Sequence, residues 1–509
     1  MTLRIIQHCV RILLRACMLA TPATARAADA APPPAKPLNV LMIIIDDVAA
    51  NVNSVGQKSP VATPNIERLA ARGTWFNHAY NDAPACCPSR TAMLTGVHSA
   101  RSGVYYNTQS YMRSGTWIAK TEAMPANFLH HGYLTASYGK FYHSRDQVDH
   151  VAEFTPGYFK MHQKIGDVKF NDGSLMKQII PGSTHAIPGK TSKNWTWGIL
   201  PDAWDRDDLA QQQQDTQQAN RAIEFLGEAH DKPFFLACGF WKPHVPWTVA
   251  QRYYDMFPLD KIELPAGYKA GDLDDLPKPG RWIAAHRGEH AEVVAGDMWK
   301  KSLQGYYASL AHIDEQIGRV LDALEKSPRK DDTIVIFLSD NGMHLGEKDH
   351  WLKYALWEQT CQVFLSINVP GYPNQKIDSP VGLIDLYPTL IDLCGLKTPT
   401  THTLDGINLT PLLAGKQSQR GEPVLQTYGR GNHAIRDDRY RYIRYRNGDE
   451  ELYDHDNDPH EWNNIAGDPK LAEEKTRLAK YLPAENAPDV PEENGGAGDE
   501  SRWQDEAFN

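Results

Sequence analysis

The sequence predicts an α/β fold: a large mixed, mainly parallel sheet sandwiched by helices, with a smaller antiparallel-sheet subdomain at the C-terminal end. Three observations predict it. Apolar runs of strand length end in polar residues, helical patterns lie between those runs, and after about residue 415 the pattern changes to short alternating segments with turn signals. Size agrees. The chain has 509 residues, more than one simple core holds, with 41% hydrophobic and 23% charged residues, as in a globular protein.

The chain begins "MTLRIIQHCVRILLRACMLATPATARA", which reads as an export signal over residues 1–27. Arg4, Arg11 and Arg15 supply a basic start, an apolar stretch follows, and "ARA" at 25–27 is a small-x-small cleavage site. No later stretch is long and apolar enough to span a membrane. Then "LNVLMIIIDD" (38–47) reads as a fully buried strand ending in two aspartates. "TPNIERLAARG" (63–73) reads as a helix, with Thr63 as cap, Pro64 in the first turn and Gly73 closing the end. The segments "YLTASYGK" (133–140), "KPFFLACGFWKPH" (232–244) and "DDTIVIFLSDNG" (331–342) repeat the apolar strand with a polar tip. Helical patterns occupy 207–229, 298–326 and 381–394. From 416 onward, turn signals such as Asn447-Gly448 predict antiparallel hairpins, and "DVPEENGGAGDES" reads as a flexible tail.

Ligands of open α/β sheets sit beyond the carboxyl ends of the strands, so the four polar tips are expected to converge. Asp46 and Asp47 end one strand, and Asp340 and Asn341 end another. Carboxylates crowded at a buried sheet edge need a cation, and oxygen ligands suit Ca²⁺, or less well Mg²⁺. Lys140 precedes His143 in "GKFYH", and Lys242 precedes His244 in "WKPH". With Arg90 and Lys353 these cations would build a strong anion site in a chain whose net charge is −10, a charge that argues against a nucleic-acid surface. Trp241 and Trp247 flank "KPHVP" and read equally well as a sugar platform or as core.

Residues 84–96 read "PACCPSRTAMLTG", a helix start whose free N–H groups favour an anion. Of seven cysteines, Cys9 and Cys17 fall in the leader. The five left (Cys86, Cys87, Cys238, Cys361 and Cys394) are an odd count, which points to one special thiol.

Cys86, Pro88, Ser89, Arg90, Leu94, Thr95 and Gly96 resemble the C-x-P-S-R-x-x-x-L-T-G signature of type I sulfatases, in the alkaline phosphatase superfamily. "GKFYH", "FWKPHVPW" and "SDNGMHLGEKDHWLKYALWEQT" look most like the iduronate-2-sulfatase and bacterial polysaccharide sulfatase branch. The resemblance covers roughly residues 38–470 and implies a catalytic domain over 28–415 and a C-terminal subdomain over 416–509. It implies that a maturing enzyme converts Cys86 to formylglycine, whose hydrate attacks sulfur. It further implies that Asp46, Asp47, Asp340 and Asn341, with residue 86, hold one Ca²⁺. Arg90 would fix the formylglycine, Lys140 and Lys353 would bind sulfate oxygens, His143 would pair with the hydrate, and His244 would protonate the leaving alcohol. Lys242 is a candidate substrate contact. Many members of this branch carry His where Asn341 stands. The implied substrate is a sulfated carbohydrate met outside the cytoplasm, with the segment 144–206 as a sugar-binding loop. Rival readings are a phosphonate monoester or phosphodiester hydrolase on the same scaffold and a non-catalytic glycan-binding protein.

Overall fold

A computed structural model describes residues 36–52, 54–56, 58–109, 114–143, 151–161, 184–186, 196–199, 213–245, 247–285 and 288–491. The export signal, most of the segment 144–206 and the last residues of the tail lie outside them.

The run beginning at Leu38 forms β1 (Asn39–Ile45), in which every residue is buried. Its alternate side chains serve two layers, as the strand period of two requires. Leu41, Ile43 and Ile45 enter one apolar cluster with α1 (Pro64–Ala70), α3 (Gln214–Gly227) and α4 (Trp299–Lys326). Val40, Met42 and Ile44 enter the other, with α2 (Cys86–Thr95) and α5 (Leu386–Cys394). A strand covered on both faces has no room for polar residues, which explains its unbroken apolar sequence.

The other strands of this sheet are β2 (Thr74–Phe76), β3 (Leu134–Gly139), β4 (Phe159–Met161), β5 (Phe234–Gly239), β6 (Thr333–Ser339), β7 (Leu365–Asn368) and β8 (Gln375–Ile377). Their spatial order is β8-β2-β7-β6-β1-β5-β3-β4. The run β6-β1-β5-β3-β4 is parallel throughout. β7 runs antiparallel to both of its neighbours, so the sheet is mixed. The four strands read from sequence are the central ones, β6, β1, β5 and β3. The short strands beyond them carry no comparable apolar run.

At the C-terminal end β9 (Val424–Thr427), β10 (His433–Arg436), β11 (Tyr440–Arg444) and β12 (Glu450–Asp454) form a separate antiparallel meander. Gly448 takes φ 92°, a left-handed conformation that glycine adopts freely, at the β11–β12 turn. One face of this meander packs Tyr428, Ala434, Ile443 and Tyr453 against Ala85, next to Cys86, and the segment Tyr354–Trp357. Arg441, wholly buried, joins the two parts by pairing with Glu358 and with Glu461 (Nε–Oε1 2.8 Å). The described residues belong to one compact unit, and none of their helices is long and apolar enough to cross a membrane.

Candidate active site

β1 and β6 are in register, with Ile45 opposite Ser339, so the acidic tips that follow emerge side by side. Asp46, Asp47 and Asp340 are buried, and each brings a carboxylate oxygen within 4.8 Å of the others and of Cys86 Sγ. Asp47 takes φ 59°, an uncommon conformation for a residue with a side chain. Its backbone is held on both sides: its N–H meets Asp340 Oδ1 at 3.3 Å and its carbonyl accepts from Tyr306 Oη at 2.9 Å. Tyr306 reaches in from the first third of α4. Nothing in the pattern of that helix distinguishes it from its apolar neighbours.

Cys86 is the first residue of α2 and is fully buried. Its Sγ lies 3.3 Å from Asp46 Oδ1, 2.7 Å from Lys353 Nζ and 3.7 Å from Lys140 Nζ. One turn on, Arg90 donates Nε to Asp340 Oδ2 at 2.7 Å and Nη1 to the carbonyls of Lys140 (2.5 Å) and Phe141 (3.0 Å). That side chain ties α2 to two strand ends at once. Cys87 points elsewhere and donates Sγ–H to the Gln109 carbonyl. All five cysteines of the described residues are free thiols, so the odd count singles out none of them; position does.

Lys140 reaches the site through a close crossing of β3 and β5. Gly139 and Gly239 are paired in register, and Lys140 N donates to Gly239 O at 2.8 Å. A Cβ at Gly239 would lie 2.1 Å from the Lys140 carbonyl oxygen, so only glycine allows the crossing. Lys140 Nζ pairs with Asp46 Oδ2, and Lys353 Nζ pairs with Asp47 Oδ1 at 2.7 Å.

The turn after β5 supplies His244. Its Nδ1–H donates to the Val245 carbonyl at 2.7 Å, which leaves Nε2 facing the site, 3.6 Å from Asp47 Oδ2. Trp241 packs on it, with ring centroids 4.5 Å apart, and lies 4.3 Å from Lys140 Nζ. The two tryptophans separate here. Trp247 is completely buried between Tyr306 and Trp351 and is core, whereas Trp241 is half-buried at the site. Lys242 is buried in the turn, and its backbone N–H donates to Asp215 Oδ2 at 3.1 Å. His143 is half-buried, with Nδ1 lacking a hydrogen-bond partner among the described residues.

The electrostatics suit an anion. Burial raises the Asp46 and Asp47 carboxyls most, but the surrounding cations, led by Lys140 for the first and Lys353 for the second, together hold both below the ordinary value. Burial works against the charged form of Lys353, but Asp47 and the other acidic groups around it together raise it, so the ammonium stays charged. Burial, then Lys140 and Lys353, push His143 far down, and burial pushes His244 down to about 4. Both imidazoles are therefore neutral at neutral pH. Burial and then Asp46 push the Cys86 thiol well up.

Three carboxylates thus face three cations. A divalent metal fits the donor set. The carboxylates are hard oxygen ligands, and Asn341 Oδ1 is buried with no hydrogen-bond partner among the described residues while its Nδ2 donates to Asp47 Oδ1 at 2.7 Å. Adding a dication to the balanced cluster would leave it positive, as an anionic ester requires.

A sulfatase family model matches residues 38–396, which contain every residue named at this site. The chain belongs to the sulfatase family. A second model, the C-terminal region of N-sulphoglucosamine sulphohydrolase, matches residues 346–487. A sulfatase of Formosa agariphila is 34% identical over 458 residues, 88% of this chain and 87% of that protein. Human iduronate 2-sulfatase is 28% identical over 407 residues, 71% of this chain and 70% of that protein. Among solved structures, the phosphonate monoester hydrolase of Agrobacterium radiobacter superposes with a TM-score of 0.68 at 22% identity, covering 87% of this chain and 94% of that one, a likeness of fold. The chain is a sulfuric ester hydrolase, of a family that generally uses a formylglycine and a divalent metal.

Proposed function

We propose that this sulfatase removes sulfate from a uronic-acid-containing carbohydrate, such as a glycosaminoglycan or ulvan fragment, using a formylglycine made from Cys86 and one Ca²⁺. The observation that carries the chemistry is the position of Cys86 at the head of a buried helix, in reach of two lysines and two carboxylates. An unmodified thiol has little use there, since burial and Asp46 disfavour its thiolate. Iduronate 2-sulfatase among the relatives supports the substrate class.

Asp46, Asp47, Asp340, Asn341 and residue 86 would hold the calcium, which when bound polarises sulfate and lowers the pKa of a bound hydroxyl. Formylglycine supplies a geminal diol: one hydroxyl to attack and a second whose deprotonation releases sulfate. The chain's own residues do the rest. Lys140 and Lys353 bind equatorial sulfate oxygens and stabilise charge in the transition state. Arg90 holds the head of α2 against Asp340. Neutral His143 accepts a proton from the hydrate. His244 gives a proton from Nε2 to the leaving alcohol; the anionic substrate raises its pKa toward protonation. Such a donor contributes about 10²–10⁴-fold.

Residues 28–415 are assigned to catalysis and 416–509 to a subdomain that buttresses the Lys353 segment. On the reading of residues 1–27 as an export signal, the protein acts in the periplasm or outside the cell, after a formylglycine-generating enzyme has acted on it.

The test is sulfate release by protein whose Cys86 peptide is shown by mass spectrometry to carry formylglycine. A sulfated uronic-acid oligosaccharide should be cleaved far faster than an aryl sulfate at equal concentration. Good turnover of aryl or choline sulfate with no sulfated glycan accepted would refute the carbohydrate assignment. The shared fold with a phosphonate monoester hydrolase favours a second reading. That reading holds if phosphonate monoesters outrun every sulfate ester.

A further inference from the structure

We infer that Asp215 is a positioning residue for proton donation to the leaving group. It acts through the backbone of Trp241 and Lys242, and the inference rests on the proposed role of His244 as proton donor.

Asp215 lies in the first turn of α3 and is 4% exposed. Its side chain is not spent on its own helix. Oδ1 accepts from Trp241 N at 2.7 Å, and Oδ2 accepts from Lys242 N at 3.1 Å. These are consecutive amides, the first two of the turn that carries His244. A carboxylate has two acceptor edges and can take both; no neutral side chain of that size offers two equivalent acceptors. Burial raises the Asp215 carboxyl, and the Trp241 amide, the Lys242 charge and the Lys242 amide act against that rise.

The residue before the turn is tied to β1, and the rest of the turn is closed on itself. Phe240 N donates to Ile44 O, His244 N donates to Trp241 O at 3.0 Å, and Trp241 Nε1 donates to Val245 O at 3.0 Å. The Val245 carbonyl also accepts from His244 Nδ1. Trp241 is therefore the hub. Its backbone is fixed by Asp215, its indole N–H holds the carbonyl that orients His244, and its ring lies against both His244 and the Lys140 ammonium. If the Trp241 amide shifts, the Val245 carbonyl and the His244 ring shift with it. Lys140 touches the Trp241 ring but also has anchors of its own, Gly239 O and Asp46. The loss should therefore fall on leaving-group protonation more than on sulfate binding.

The experiment is a leaving-group series (phenyl, 4-chlorophenyl and 4-nitrophenyl sulfate) with formylglycine- and metal-loaded wild type, Asp215→Asn and His244→Ala. 4-Nitrophenolate departs without help, whereas phenolate needs a proton. Asp215→Asn keeps the size but puts an N–H₂ against one amide. Its kcat should fall at least about 10-fold more on phenyl than on 4-nitrophenyl sulfate, within the range that general-acid catalysis spans, and KM should change little. His244→Ala should show the same selectivity, more strongly. If His244→Ala is selective and Asp215→Asn is not, the inference is wrong and the role of His244 stands. If His244→Ala loses all three substrates equally, the proton-donor reading fails and takes the inference with it. Should Asp215→Asn not fold, Asp215→Ser, which leaves space for water at the two amides, is read the same way. If neither folds, Asp215 is a structural residue and the inference is overturned.

Discussion

Gly239→Ala is a substitution of one methyl group, remote from any charged side chain by chemistry but not by geometry. The new Cβ would meet the Lys140 carbonyl oxygen at 2.1 Å, its carbon at 2.3 Å and Phe141 N at 2.8 Å. All three are backbone atoms, so no side-chain rotation relieves the contact. Ordinary contact begins near 3.4 Å, so the ends of β3 and β5 must separate by about 1.3 Å. Two consequences follow. Overpacking of this kind costs about 1–3 kcal/mol. The segment displaced also carries Lys140, and about 1 Å of misplacement at a reacting centre can cost about 100-fold in rate. Lys140 and Phe141 are moreover the residues whose carbonyls receive Arg90. The variant should therefore melt a few degrees lower and lose at least about 100-fold in kcat on its best sulfate ester. Gly227→Ala is the control, since a Cβ there meets nothing within 4 Å; it should match wild type in both measurements. A Gly239→Ala protein with wild-type melting and kcat within threefold of normal would show that the crossing does not position Lys140.

Cys86→Ala should abolish turnover while Cys87→Ala keeps most of it, because only the first thiol faces the lysines; equal loss in both would argue for paired-thiol chemistry. Asp340→Ala should lose bound calcium and activity together, by elemental analysis and rate. It should also cost about 3–5 kcal/mol in denaturant unfolding, since Arg90 is left buried without its partner; stoichiometric zinc, or an active enzyme holding no ion, would overturn the calcium assignment. Burial pushes Glu347 up to about 7 from an ordinary 4.5. The folded state then keeps a proton that the unfolded chain has lost, so stability should fall by about 3 kcal/mol as pH rises from 4.5 through 7. Glu347→Gln should remove this term: its melting temperature relative to wild type should improve between pH 5 and pH 8, and an unchanged difference would show that Glu347 ionises normally.

Sequence alone determined the central strands, the cores of the helices between them and the residues at the strand tips, although the helical pattern at 381–394 gives a short strand and a tight turn before its helix begins at Leu386. A strand buried on both faces cannot hide polar residues, so the apolar run in "LNVLMIIIDD" and its abrupt acidic end record burial and its limit directly. The sulfatase signature at Cys86 was equally legible, since its seven matching residues lie within eleven positions. The hairpin at Asn447-Gly448 was legible because a left-handed turn selects its residues locally. Other features depend on contacts between residues far apart in the chain. The antiparallel β7 is only four residues long, and nothing in them marks its direction. Trp241 and Trp247 are six residues apart and chemically identical, yet one lines the site and the other is core, because α4 supplies Tyr306 to cover only the second. Asp215 stands 27 positions before Lys242, and only the fold brings its carboxylate onto the Lys242 amide. Cysteine arithmetic failed because five free thiols need no special member. Local sequence fixes what a strand tip carries. Strand order and register, set by packing across hundreds of residues, decide which tips meet and which side chains face the substrate.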